Sequence, residues 1–278
     1  MYKISGLFVY PIKSLRGISV NQTDLTRTGF EWDRRWMLVD ENNRFLSQRE
    51  CNQLALFTVK MDADVITIYN RPKNVVPFSF HVRECSGIEK KVSIWEDVCD
   101  AVEVSAAVDA WFSEILERKV QLVYMPDTTQ RTIDPDYAVK GSDTTSFSDG
   151  FPILMIGESS LKELNRRLDH PVGIDRFRPN LVFSGGLPHD EDRMLRFSAN
   201  SVDFYGVKPC ARCVITTLDP ETGIGGKEPL RTLSLYRSFE NGIYFGQNII
   251  GPSEGYIKIG DRLEDIRFSG SDNFIFEG

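Results

Sequence analysis

Short runs of alternating apolar and polar residues dominate the first hundred positions of the chain, and this alternation predicts β-strands. The segment LFTVKMDADVITIYN has two such runs around a polar turn at residues 62–64, which is the pattern of a β-hairpin. PFSFHV adds a further run after RPKNVVP, which we interpret as a loop because proline cannot donate a hydrogen bond inside a ladder. The N-terminal part is therefore predicted to be rich in strands.

Helical periodicity is confined to a few segments. SAAVDAWFSEILER places apolar residues at helical spacing after Ser105, which can cap the first turn. SSLKELNRRL predicts a second helix, with Ser160 and Glu163 spaced as a capping box, and PLRTLSLYR predicts a short third helix. The other apolar runs predict short strands, among them KVQLVYM, NLVFSGG, SVDFYG, CVITTLD and IYFGQNIIG. Together these elements predict a mainly β or α+β fold with barrel-like sheets.

Residues 126–146 form a polar stretch that is too long for an ordinary connection between two elements. Loops of this length and polarity commonly lie over or beside a functional site. We therefore expect this segment to flank or cover such a site.

The composition narrows the class of protein. The chain has 278 residues, of which 41% are hydrophobic and 26% charged, as is typical of a globular protein with a sizeable core. The net charge of −7 argues against general binding to nucleic acid or to acidic membranes. The N-terminal apolar run ends at Pro11, and no stretch approaches the roughly 18 apolar residues of a spanning helix. We expect a cytoplasmic protein without a membrane anchor.

The five cysteines, an odd number, argue against a disulfide framework. Cys210 and Cys213 lie together in KPCARCVITTLDPETG, and three interpretations of the pair stay open: half of a zinc site, a redox pair, or two inert buried thiols. Arg212 lies between them, and a guanidinium beside a thiol favours the thiolate that binds metals. One thiolate with cationic neighbours suits a soft metal whose other sulfur ligands come from an organic cofactor.

Three further motifs carry side chains that can bind an anion. PIKS contains Lys13 and Ser14, DRRW contains Arg34, and FRPN contains Arg178 and Asn180. An arginine fork can hold a phosphate or a pterin carbonyl, although each motif taken singly is better explained as a surface loop. The chain has no P-loop and no nucleophile elbow, so hydrolysis is poorly supported.

In their order along the chain, PIKS, DRRW, FRPN and KPCARCVITTLDPETG resemble the MOSC family, and in particular the bacterial homologues of the mitochondrial amidoxime-reducing components. The resemblance covers nearly the whole chain. It implies a β-rich N-terminal domain over residues 1–118, which is a β-barrel in the family, and a MOSC β-barrel domain over residues 119–268.

The resemblance also implies a molybdenum site. The second cysteine of the pair ligates molybdenum in the family, which implies that Cys213 is the metal ligand and the catalytic residue here. The molybdopterin and its phosphate are implied to contact Lys13, Ser14, Arg34, Asp149, Gly150, Arg178, Asn180, Ala211 and Arg212. We expect the phosphate to lie among Lys13, Ser14, Arg34 and Arg178, because a buried dianion requires converging positive charge.

The function implied by the resemblance is that of a molybdenum-dependent oxidoreductase, an oxotransferase that reduces small N-hydroxylated compounds. Its electrons would come from a separate flavin or iron–sulfur reductase, because Cys51, Cys85 and Cys99 lack the spacing of a cluster motif and no iron–sulfur cluster is expected.

Two alternatives stay open. MOSC domains also occur beside the pyridoxal-phosphate domain of molybdenum cofactor sulfurases, so the chain could carry or deliver the molybdenum cofactor or its sulfur without turnover of its own. Pyridoxal phosphate itself is not expected, because no such domain precedes this one. The second alternative is a β-barrel adaptor that binds no metal.

Overall fold

The structure, a computed structural model, describes residues 1–270. It is rich in strands and has three α-helices within that range, which confirms the predicted mainly β, α+β class. The first half contains β1 (Lys3–Val9), β2 (Ile18–Val20), β3 (Gln22–Thr26), β4 (Gly29–Phe30), β5 (Trp36–Val39), β6 (Phe57–Asp62), β7 (Val65–Asn70), β8 (Phe78–His81), β9 (Glu89–Ile94), β10 (Asp97–Glu103), α1 (Ala106–Leu116) and β11 (Gln121–Tyr124). The second half contains β12 (Ile153–Gly157), α2 (Glu158–Asn165), β13 (Leu181–Ser184), β14 (Met194–Ala199), β15 (Val202–Ala211), α3 (Leu230–Ser234), β16 (Ser238–Phe239), β17 (Gly242–Ile250), β18 (Gly255–Lys258) and β19 (Glu264–Phe268).

Strands from both halves of the chain share one nine-stranded sheet. Its order is β19-β14-β15-β17-β12-β13-β1-β2, with β16 paired to β17. β1 pairs antiparallel with β13, and β3 pairs with β18, so the N-terminal strands complete sheets of the second half. A four-stranded sheet, β5-β11-β10-β9, and a three-stranded sheet, β6-β7-β8, belong to the first half. The pairing of β1 with β13 brings the loops after β1 next to those before β13.

The first helix and the first hairpin follow the predicted periodicity. The apolar positions Val108, Phe112 and Ile115 of α1 are buried in a core that also contains Trp36. Ser105 stands at the N-cap position of α1, although its side chain makes no capping hydrogen bond. The predicted hairpin is formed by β6 and β7. No helix within residues 1–270 is long and apolar enough to span a bilayer.

The segment CVITTLD is not the strand that its β-branched residues predict. β15 ends at Ala211, and Val214–Thr217 form a 3-10 helix with Cys213 at its N-cap. The hydroxyls of Thr216 and Thr217 donate to the carbonyls three positions earlier, at 2.9 and 2.7 Å. These local hydrogen bonds replace the ladder bonds of a strand and override the propensity of the residues.

The predicted capping box of α2 is also wrong. The helix starts at Glu158, and Ser160 lies inside it, where its Oγ donates to Glu191 Oε2 at 2.8 Å. Glu191 is fully buried and accepts a second hydrogen bond from the backbone N–H of Gly157 at 3.2 Å. The hydroxyl satisfies a buried carboxyl rather than the helix end, because an unpaired buried acid is more costly than an uncapped turn.

The burial of Glu191 predicts a pH-dependent stability. Burial raises the pKa of Glu191 from the ordinary 4.5 to about 7, so the folded protein holds a proton that the unfolded chain has lost between these values. Glu191→Gln removes this cost, and we expect its advantage in unfolding free energy to grow from pH 4.5 to 7, to about 1 to 3 kcal/mol, and to stay constant above.

Urea unfolding at pH 5 and pH 8 measures this difference. The exposed Glu158→Gln in α2 is the matched control and should show no such pH dependence. An equal effect of Glu191→Gln at both pH values would contradict the buried, proton-binding carboxyl.

Candidate functional site

One cavity of about 190 Å³ lies where loops of the first half meet the ends of β13 and β15. Every residue that the sequence and the family resemblance assign to a site lines it: Lys13, Ser14, Arg34, Asp149, Gly150, Arg178, Asn180, Ala211, Arg212 and Cys213. The fold therefore brings together segments that are up to two hundred positions apart. Their roles toward a cofactor stay predictions.

Two of the arginines that line the cavity stack on the ring of Tyr10. The guanidinium carbons of Arg34 and Arg178 lie 4.3 and 4.4 Å from the centroid of its ring, and its hydroxyl donates to the carbonyl of Pro179 at 3.1 Å. Burial raises the pKa of Tyr10 to about 12, so the ring stays neutral at physiological pH. Burial, with the neighbouring Arg34 charge, lowers the pKa of Arg178 to about 10. Two like charges are thus held close together in a partly desolvated site.

Hydrogen bonds hold both guanidinium groups in place. Arg34 donates to Asp33 Oδ2 at 2.6 Å and to Asn180 Oδ1 at 3.0 Å, and Arg178 donates to the Leu15 carbonyl at 2.7 Å. Asn180 also donates through Nδ2 to a β1 carbonyl at 3.2 Å. Because both ends of the Asn180 amide are engaged, we assign it to positioning Arg34.

The backbone at this wall of the cavity is left-handed at three residues that are not glycine. Ser14 has a φ of 71°, Arg34 of 50° and Arg178 of 54°. Such conformations disfavour residues with a Cβ, and they concentrate at sites where the surrounding structure determines them. Arg178 adopts its conformation where the 3-10 helix Ile174–Phe177 ends, which turns its side chain out of that helix.

The cavity also has an ion pair between Lys13 Nζ and Asp149 Oδ1 at 2.6 Å. The surrounding protein raises the pKa of Asp149, but the Lys13 ammonium, with Arg49 and Arg34, outweighs that effect and holds the pKa well below its usual range. Burial lowers the pKa of Lys13, and Asp149 acts against this shift. The Asp149 carboxylate therefore keeps its charge and holds the Lys13 amine in the cavity.

The two cysteines have different arginine partners. The sequence suggested Arg212 as the cation beside the metal-binding thiol of Cys213, and this expectation is wrong. Arg212 Nη1 donates to Cys210 Sγ at 3.0 Å, whereas the cation that contacts Cys213 Sγ, also at 3.0 Å, is Arg49. Arg212 also donates to the Phe177 carbonyl at 2.7 Å, which turns it toward the 3-10 helix before Arg178. Sequence reasoning missed Arg49, because it lies 164 positions from Cys213 and belongs to no local motif.

The polar segment 126–146 flanks the cavity and does not cover it. None of its residues lines the cavity, but the adjoining Ser148 and Asp149 do. Arg131 is buried and donates to the carbonyls of Ser146, Ser148 and Asp149 at 3.0, 2.6 and 3.2 Å. Through Arg131, the segment therefore fixes the backbone of residues 146–149, which carries the Asp149 side chain.

The donors of the cavity fit an anionic group with a soft metal. Lys13, Arg34, Arg49, Arg178 and Arg212 line it, against one carboxylate, in a chain whose net charge is −7. Arg212 Nε is buried without a hydrogen-bond partner. A Cβ built on Gly150 meets no atom within 4 Å, so this part of the wall has open space in front of it. The thiols of Cys210 and Cys213 both line the same cavity, and a thiol is a soft ligand.

Comparison with known proteins is consistent with this arrangement. Residues 1–119 match the model of the MOSC N-terminal beta barrel domain, and residues 142–264 match that of the MOSC domain. The mitochondrial amidoxime-reducing component 1 of Mus musculus is 30% identical over 280 residues, covering 93% of this chain and 80% of that protein. The human component 1 is 28% identical, covering 93% of this chain and 81% of that protein. The molybdenum cofactor sulfurase of Solanum lycopersicum is 27% identical over 94% of this chain, which spans 35% of that protein.

The crowding of cations predicts that inorganic phosphate stabilises the protein. At a tenfold excess over its dissociation constant, phosphate should add about 1.4 kcal/mol to the unfolding free energy. Arg178→Gln should lose most of this gain, because it removes one of the cations that line the cavity.

Thermal unfolding with and without phosphate, at constant ionic strength, checks this prediction. Arg83→Gln is the matched control, since Arg83 is exposed and does not line the cavity. A phosphate effect of the same size in Arg178→Gln and in the wild type would contradict an anion site at Arg178.

Proposed function

The chain belongs to the MOSC family, in the two-domain form that it shares with the amidoxime-reducing components, and from this premise we propose that it is a molybdenum-cofactor-dependent reductase of N-hydroxylated compounds. The observation that carries the proposal is the meeting of the Cys210 and Cys213 thiols with five cationic side chains in a single cavity. A cofactor that carries a metal on the sulfur atoms of a phosphorylated pterin requires cations for its phosphate and a soft ligand for its metal, and this cavity offers both.

In this proposal Cys213 holds the metal through Sγ, and the phosphate lies among Lys13, Ser14, Arg34 and Arg178. The remaining residues of the set would contact the pterin: Asp149, Gly150, Ala211 and Arg212, with Asn180 positioning Arg34. When bound, the cofactor supplies a two-electron centre for removing an oxygen atom from the substrate.

The residues of this chain contribute charge and orientation. Arg49 donates to Cys213 Sγ at 3.0 Å and places a cation beside the thiol that would hold the metal. Asp149 keeps the Lys13 amine directed into the cavity. The arginine pair on Tyr10 is held before any ligand arrives, so binding an anion there requires little rearrangement.

The reductant and the substrate come from outside the chain in this proposal. The cysteines other than Cys210 and Cys213 have no cluster spacing in the sequence, and we propose that a separate flavin or iron–sulfur reductase delivers the electrons. The amidoxime-reducing relatives support N-hydroxylated bases as the substrate class. The cytoplasmic location stays a prediction.

A carrier function is the second candidate. The chain is also similar, over almost its whole length, to part of a molybdenum cofactor sulfurase, which supports cofactor or sulfur delivery without turnover. A carrier should release its cofactor to an acceptor protein, whereas a reductase should keep it through many turnovers.

Product formation separates the two candidates, and the cysteine variants test which thiol binds the metal. Molybdenum-loaded protein with an artificial reductant should convert N-hydroxybenzamidine to benzamidine. Cys213→Ala should stay folded but lose bound molybdenum roughly tenfold or more, together with the activity, because a direct ligand is missing. Cys210→Ala should retain most of both, because Cys210 is not the proposed ligand.

Metal analysis and product chromatography on the same preparations measure the two properties. Loss of molybdenum to an equal extent in both variants would contradict Cys213 as the ligand. A loaded wild type that transfers its cofactor to an acceptor but forms no product from several N-hydroxylated bases would favour the carrier.

A further inference from the structure

A second cavity of about 530 Å³ adjoins the first on the side of the N-terminal half. The two cavities share Phe45, Ser47, Arg49 and Asp149 as lining residues. The second cavity takes the rest of its wall mainly from the hairpin between β9 and β10. It therefore lies next to the thiol of Cys213, which Arg49 contacts.

Trp95 forms the tip of that hairpin in a conformation that is unfavourable for it. It occupies the first position of a two-residue turn between Ile94 and Asp97 and has a φ of 55°, where glycine or asparagine is preferred. Its side chain is 49% exposed, so burial does not explain the choice of residue. A strained, half-exposed aromatic residue at a cavity points to a functional constraint.

The indole ring is fixed in place by the rest of the site. Phe45 packs against it at a centroid distance of 4.8 Å, and its Nε1 donates to Asp149 Oδ1 at 3.3 Å. The guanidinium of Arg49 lies 4.6 Å from a ring centroid of Trp95. The ring thus already binds a planar cation in this structure.

The charges of the second cavity leave one carboxylate available. Among residues 1–270, Glu96 forms no ion pair, and Arg49 forms none with a carboxylate. The other carboxylates of this wall each have a cationic partner: Glu50 with Arg44, Asp97 with Arg131, and Asp149 with Lys13. Glu96 follows Trp95 directly and is exposed. The cavity therefore offers an aromatic face and an unpaired negative charge side by side.

We propose that the second cavity is the substrate vestibule, in which Trp95 stacks on the planar cationic head group of an amidinium or guanidinium compound and Glu96 pairs with it. The ligand takes the place of the Arg49 guanidinium on the indole, and Arg49 stays next to Cys213. The identification of this ligand as substrate rests on the proposed function, whereas the binding site rests on the geometry of the hairpin.

Benzamidinium tests the site without turnover, because it has the planar cation but no N–O bond to reduce. Its affinity is measured by isothermal titration calorimetry on the molybdenum-loaded full chain at low salt, without reductant. Trp95→Gly should weaken binding about tenfold, as expected for a lost cation–π contact, and the protein should stay folded because glycine adopts this turn without strain. Glu96→Gln should weaken binding about threefold.

Two further variants complete the design. Arg49→Ala should tighten benzamidinium binding severalfold, because the competing guanidinium is gone. Glu254→Gln, at an exposed glutamate outside both cavities, is the charge control and should leave the affinity unchanged. No saturable binding to the wild type at millimolar concentration, or unchanged affinity in both Trp95→Gly and Glu96→Gln, would overturn the proposal.

The outcomes also separate this proposal from the proposed function. Binding through Trp95 and Glu96 in a protein that reduces no N-hydroxylated compound would support the binding site and contradict the reductase function. Reduction of N-hydroxybenzamidine with an unaltered KM in Trp95→Gly and Glu96→Gln would support the reductase and overturn the vestibule.

Discussion

The stacking of Arg34 and Arg178 on the ring of Tyr10 is the interaction on which the rest of the candidate site depends. Two cations in a partly desolvated site repel each other, and the arrangement persists because the fold determines it from several sides. Tyr10 follows β1, Asn180 precedes β13, and the two strands pair in the large sheet. Asp33 offsets part of the charge through Arg34. The excess that remains is positive, and a bound anion is the partner that would relieve it.

This local excess of positive charge contrasts with the net negative charge of the chain. It also contrasts with the second cavity, which has a different set of charges. The first cavity carries five cations and one carboxylate, whereas the second has ion-paired charges, an aromatic face and the unpaired Glu96. Arg49 lies between the two cavities. Its Nη2 donates to Cys213 Sγ, and its guanidinium group lies over the ring of Trp95. In the proposed function, the first cavity would hold an anionic cofactor and the second a cationic ligand, with Arg49 lining both.

What could be predicted from the sequence depends on how local the signal is. Lys13 with Ser14, Arg178 with Asn180, and Cys213 each lie in a short motif, so the sequence could name them as candidates, and the fold places them in one cavity. The helix α1 followed from its periodicity in the same way.

Arg49 and Trp95 could not be identified, because their importance arises from contacts with residues that are distant in sequence, Cys213 and Asp149. The error at Val214–Thr217 has a related origin. Threonine hydroxyls closed a local turn there, which strand propensity does not describe.

The proposed function requires that this cavity holds molybdenum on the thiol of Cys213. Anomalous diffraction at the molybdenum absorption edge, from crystals of the full chain produced in a host that makes the cofactor, tests it most directly. We expect one strong anomalous peak within bonding distance of Cys213 Sγ, inside the cavity that Lys13, Arg34 and Arg178 line. A peak bonded to Cys210 instead, or molybdenum in the crystal with no peak in this cavity, would contradict it.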